Sequence, residues 1–151
     1  DGLGEYGRSG GVGYVYRRQY VNRAKKGIED SALVVGTSKD LMEAVAAHVI
    51  QELWGSYPST ANFPSLLGQA FVALEMATPE PPKAEGEHQR CRMERALYES
   101  ACSINNLRNK QGSGHGRPWL PDLKESEVKA AIELIGVISE LLLDNLERKK
   151  A

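Results

Sequence analysis

The chain has 151 residues, 41% hydrophobic and 26% charged, with a formal net charge of −1. That is the length of one domain with a real core and the composition of an ordinary soluble globular chain. Two cysteines, Cys91 and Cys102, are too few for a disulfide framework and read as reduced thiols in a cytoplasmic protein. No apolar run reaches the length of a membrane span.

Residues 1–13 hold six glycines and no apolar signal-peptide core, so they read as a flexible lead-in or linker. The chain starts without Met, which fits a fragment or processed protein with a further domain before it. From Tyr14 to Lys26 the pattern turns helical and basic, "YVYRRQYVNRAKK", and Gly27 stops it. Asp30 or Ser31 can cap a second helix that runs to about Trp54. Its apolar residues Leu41, Val45, Val49 and Leu53 recur every fourth position, with Met42, Ala46 and Ile50 beside them. The β-branched run "ALVVG" (32–36) leads straight into that pattern without a turn signal and is taken as helical.

Asn62 caps a third helix with Pro64 in its first turn, and Phe63, Leu66, Leu67, Ala70, Phe71 and Leu74 form its buried face. "TPEPPKAEGE" (78–87) is a surface connection. A fourth helix spans His88 to Leu107, with Met93, Leu97, Ala101 and Ile104 inward. A fifth runs from Lys124 to Arg148 on a stripe of Val128, Ala131, Ile132, Ile135, Ile138, Leu142 and Leu146. Nothing alternates like a strand. The expectation is all-α: an antiparallel helical bundle of four longer helices plus a basic N-terminal helix, residues 14–151 forming one domain.

The net charge conceals local basic patches, the features that matter to a polyanion. Residues 1–26 carry six Arg or Lys, and residues 100–121 carry Arg108, Lys110 and Arg117 with no acid. The second patch lies in "NNLRNKQGSGHGRPW" (105–119), between the last two helices. His115 has a side chain that titrates near neutrality and can serve as acid or base. Arg108 offers a planar fork that suits a phosphate or a phosphorane. Asn109 can donate to a phosphate oxygen or orient the histidine. Gly112, Gly114 and Gly116 let a ligand approach the backbone. Taken alone, the same residues also describe a helix C-terminus capped by a cation, followed by an ordinary glycine loop.

"LRNKQGSGHGRP" resembles the Arg-Asn…Gly…His-Gly signature of the abortive-infection C-terminal domain, a branch of the HEPN superfamily, whose Arg-x4-6-His motif sits on a helical bundle. Arg108, Asn109 and His115 match it, with six residues between Arg and His. The stretch 20–53 is similar to the family's N-terminal helices, including Lys39 and Glu43 as its Lys-x3-Glu, and the likeness covers roughly 14–148. The resemblance implies a metal-independent endoribonuclease of an antiphage or toxin–antitoxin system, needing no cofactor, in which the ribose 2′-OH attacks the adjacent phosphate. It implies Arg108, Asn109 and His115 as the catalytic set, Lys110, Arg117 and Trp119 as RNA-binding residues, and Lys39 and Glu43 as possible support. It implies RNA as partner, a homodimer with a composite site, and a possible antitoxin. The alternative is a non-catalytic helical module that binds RNA, a nucleotide or a partner protein through the same junction.

Other features are weaker. Lys39 and Glu43 are also an ordinary i,i+4 ion pair of about 0.3–0.5 kcal/mol. His88 and Cys91 lack the second pair of ligands that a zinc site needs. His48 is expected as a partly buried packing residue, and Trp54 as core rather than a stacking platform for a base.

Overall fold

The structure is a computed structural model that describes residues 13–15, 17–19, 31–80, 83–107 and 122–151, with 31–40 by backbone alone. Four helices organise it: α1 (Ser31–Trp54), α2 (Phe63–Ala73), α3 (Gln89–Leu107) and α4 (Glu125–Lys150). Residues 13–15 and 17–19 are also helical, and no strand occurs among the described residues. The fold class is therefore all-α. α1 begins at Ser31 and includes "ALVVG", so the β-branched run does go into the helix.

The core follows the apolar stripes. Met42, Val45, Ala46, Val49 and Ile50 of α1 are buried together with Leu67, Ala70 and Phe71 of α2 and Ile132, Ile135, Ile138, Leu142 and Leu146 of α4. α1 packs chiefly on α2 and α4, and α3 lies against α2 and α4. The C-terminal ends of α1 and α4 meet, with Lys150 Nζ 3.1 Å from a Glu52 carboxylate oxygen. The middle and end of α3 (Ala96, Ser103, Ile104) face the first half of α4 (Ala130, Leu134) across a shallow groove. The end of α3 and the start of α4 thus lie together.

The helix ends are chemically defined. Asn62 Oδ1 accepts the Ser65 amide at 2.9 Å, and Pro64 sits in the first turn of α2, where its missing N–H costs nothing. α2 ends in a Schellman turn. The Met76 amide donates to Phe71 O at 2.8 Å and the Glu75 amide to Val72 O at 2.9 Å. Glu75 takes φ 60°, a left-handed conformation usually left to glycine. The start of α4 is held by Glu127, whose carboxylate accepts the Lys124 amide at 3.0 Å.

α3 differs from expectation on one face. Met93 is 51% exposed, and its neighbour Glu94 is buried instead. The Glu94 carboxylate accepts the Ala77 amide at 3.1 Å, and Arg95 Nε donates to Thr78 O at 3.1 Å while its guanidinium clasps Glu87. The connection after α2 needs partners for its backbone, and α3 turns a carboxylate toward it. Successive residues on a helix are about 100° apart, so Met93 is carried out to solvent.

Residues of the N-terminal segment pack on α4. Gly13 is buried, and a Cβ there would stand 2.7 Å from Asp144 Oδ1 and 2.8 Å from Glu140 O. This close approach requires glycine. Arg17 then bridges Glu140 at 3.3 Å and Glu133 at 3.8 Å.

Candidate functional site

α3 ends at Leu107 and α4 starts at Glu125, so the segment from Arg108 to Trp119 belongs to the connection between them. Arg108, Asn109, Lys110, His115, Arg117 and Trp119 lie outside the described residues. On α1, Lys39 and Glu43 lie 13 and nine residues before Glu52, which places them about 20 and 14 Å back along the axis from the end where α1 meets α4. Glu43 is half-buried.

The last turn of α3 is polar beneath as well as above. Asn105 is buried, and its Oδ1 has no hydrogen-bond partner. A buried amide oxygen left unpaired is unfavourable, and it stands three residues before Arg108. Asn106, on the exposed side of the same turn, opens into a cavity of about 830 Å³ between α2 and α3.

That cavity lies among the described residues beside the end of α3. Trp54, Asn62, Gln69, Tyr98, Glu99 and Asn106 line it, with Val72, Cys102 and the 78–80 segment completing the walls. The Tyr98 hydroxyl donates to Pro64 O at 2.8 Å and its ring stacks edge-on against Phe71, with centroids 5.5 Å apart. These contacts fix the ring as a wall. Burial, reinforced by the neighbouring Cys102, pushes the Tyr98 phenol up to about 12. Burial also raises the Cys102 thiol above its ordinary value. Both groups stay protonated at neutral pH, so they can shape or donate but supply no nucleophile.

Two residues expected in the interior are at the surface. Trp54 is 50% exposed because it closes α1. Gly55, at φ +84°, turns the chain away just after it, and the apolar stripe ends at Leu53. His48 is exposed and lies 4.0 Å from Glu52 one turn on; it falls between the buried Val45 and Val49 rows, on the side facing water. The weak metal pair also has another role. His88 Nδ1 accepts the Arg90 amide at 3.0 Å, capping the start of α3. Among the described residues, no group of three or more His, Cys, Asp or Glu could hold a metal ion. Likewise among the described residues, no helix is long and apolar enough to cross a membrane.

Sequence reasoning missed the cavity and the acidic row on α4 that receives Arg17. The cavity joins residues from four separate stretches of chain, so no local pattern signals it. The acidic row was legible as Glu133, Glu140 and Glu147 at sevenfold spacing, which places all three on one face of a helix.

Among the described residues the fold is all-α, with a cavity between α2 and α3 that extends to Asn106 near the end of α3. The Abi_C family model, a HEPN-like domain, matches residues 15–146, and the chain belongs to that family. No curated protein and no solved structure matches it.

Proposed function

We propose that the chain is a metal-independent endoribonuclease domain of a prokaryotic antiphage or toxin–antitoxin system. The observation that carries the reading is the family match over residues 15–146, combined with an Arg-x6-His spacing whose Arg108 immediately follows the last residue of α3. The family is often associated with RNases in abortive infection.

In this reading the 2′-OH loses its proton to a base as its oxygen attacks phosphorus, and the 5′-oxygen leaves as it gains a proton from an acid. The products are a 2′,3′-cyclic phosphate and a 5′-OH. His115 is the acid/base group, Arg108 stabilises the charge on the phosphorane and Asn109 binds a phosphate oxygen or orients the histidine. One protomer contributes a single histidine of this motif, so a two-fold dimer that joins two such segments supplies both an acid and a base. Lys110 and Arg117 hold flanking phosphates, a contribution that weakens with salt, and Trp119 stacks on a base.

The test is incubation with single-stranded RNA in EDTA, followed by analysis of the ends. Wild type yields 2′,3′-cyclic phosphates, and His115→Ala and Arg108→Ala do not. RNA with a 2′-deoxy residue at the cut site resists. Equal cleavage by wild type and His115→Ala, or cleavage by neither, refutes the assignment.

A further inference from the structure

We propose that the cavity between α2 and α3 is a base-binding subsite that takes an unpaired guanine of an RNA strand. The proposal rests on the RNA-directed reading above and names which base that site selects.

The charge of the cavity comes first. Its described lining carries Glu80 and Glu99 and no Lys or Arg. Such a surface repels phosphate and favours a neutral or cationic group rich in hydrogen-bond donors. Flat aromatic area comes second. Trp54 lines the cavity and is half exposed, at the end of α1 just before the Gly55 turn. Indole faces are sequence-tolerant platforms for unstacked bases. Position comes third. Asn106 lines the cavity, and Arg108, the phosphate-binding residue of the proposed reaction, is two residues further along. Two residues span at most about 7 Å, comparable to the step from a base to its own phosphate.

The donor pattern then selects the base. A carboxylate only accepts hydrogen bonds. Guanine alone presents two adjacent donors, N1–H and the N2 amino group, along one edge. Adenine and cytosine each set one amino group beside a ring acceptor, and uracil sets one N–H between two carbonyls. Glu99, exposed on α3 one turn before Ser103 and two before Asn106, lines the same helix face as Asn106 and is assigned as the acceptor for this edge. Asn62 is unsuited to that role because its Oδ1 already caps α2. The walls are already set, since Tyr98 is locked by Pro64 and Phe71. At about 830 Å³ the space exceeds a single base and falls within the usual range of ligand pockets, which leaves room for the attached ribose.

The experiment measures equilibrium binding of short single-stranded RNAs to full-length His115→Ala protein, which prevents turnover during the titration. The RNAs are identical except for one central base: guanine, inosine, adenine, cytosine or uracil. The guanine strand binds about fivefold or more tighter than the adenine, cytosine and uracil strands, and inosine, which lacks the amino group, falls between. Glu99→Gln removes the preference for guanine over adenine; loss of its negative charge tightens the adenine, cytosine and uracil strands alike, so the readout is the ratio between strands and not the affinity for one of them. Trp54→Ala weakens all strands alike. Both side chains are exposed, and an unchanged circular dichroism spectrum verifies the fold of each variant. Equal affinity for all bases, a preference that survives Glu99→Gln, or no RNA binding overturns the proposal. So does competition for the cavity by a Lys/Arg-rich peptide with no guanine preference. Failure of wild type to cleave RNA refutes the nuclease reading but leaves a measured guanine preference standing. Cleavage without base preference does the reverse.

Discussion

Replacing Asp144 by Asn should stabilise the domain at neutral pH and do nothing in acid. Asp144 sits on α4 with Glu140 one turn before it and Glu147 one turn after, and its Oδ1 is buried without a hydrogen-bond partner. Gly13 presses close to the same oxygen. Burial first, then repulsion from Glu140 and Glu147, lifts its carboxyl from 3.8 to about 6, with Arg148 pulling slightly the other way. In the unfolded chain the group ionises near its ordinary value. Between about pH 4 and 6 the folded state therefore binds more protons than the unfolded one, and stability falls as pH rises through that window. The penalty is absent below the window and complete above it. A fully shielded carboxyl raised this far would lose about 3 kcal/mol at 1.36 kcal/mol per tenfold change in acidity. Asp144 is only partly shielded, and solvent screening brings the expected figure to about 1 kcal/mol. For a chain of this size that corresponds to about 2–4 °C in Tm. Thermal unfolding followed by circular dichroism from pH 3.5 to 8 tests it. Asp144→Asn should melt higher than wild type at pH 7.5 and at the same temperature at pH 3.5. A gain of equal size at both pH values, or a loss at pH 7.5, refutes the reasoning.

Three further substitutions probe the frame around the junction. Glu75→Gly relieves a left-handed residue that costs about 1–2 kcal/mol, against about 0.5–1 kcal/mol for glycine's extra freedom when unfolded. A net gain of a few tenths to about 1 kcal/mol in urea unfolding is expected, even though the exposed contact with Lys149 is lost. Glu94→Ala strands the Ala77 amide and should lower stability by about 1–3 kcal/mol in the same assay. Gly13→Ala forces a methyl group into Asp144 Oδ1 and the Glu140 carbonyl. It should destabilise by about 1–3 kcal/mol and expose the segment around Arg17 to protease.

Much of this fold is legible in one dimension because each helix announces itself. The fourfold recurrence through Leu41, Val45, Val49 and Leu53, and the long stripe from Ala131 to Leu146, match the helical repeat; Val45 and Val49 are buried, and Leu41 and Leu53 at the two ends of the row are half-buried against the core. Asn62 with Pro64 is a cap that depends only on residues within one turn. The assignment of "ALVVG" to a helix rests on the strong pattern that follows it, and α1 does begin ahead of it. The motif between α3 and α4 is a pattern of residue types at a fixed spacing, and a family match over 15–146 agrees with the family it suggests.

Other features depend on neighbours distant in the chain. Whether Met93 or Glu94 faces inward depends on an amide 17 residues away that needs an acceptor. Trp54 and His48 are types often found in an interior, yet Trp54 closes α1 beyond its apolar stripe and His48 lies on the side of α1 that faces water. The cavity beside the junction exists only because Trp54, Gln69, Tyr98 and Asn106 are brought together from α1, α2 and α3. The affinity of Arg17 for α4 likewise needs Glu133 and Glu140 in reach. Periodicity, caps and motif spacing are short-range properties of the chain and can be read from the sequence alone. Which side chain wins a place at a boundary, and which residues share a cavity, is decided by long-range packing, where a backbone group or a charge must be satisfied by whatever the tertiary structure puts beside it.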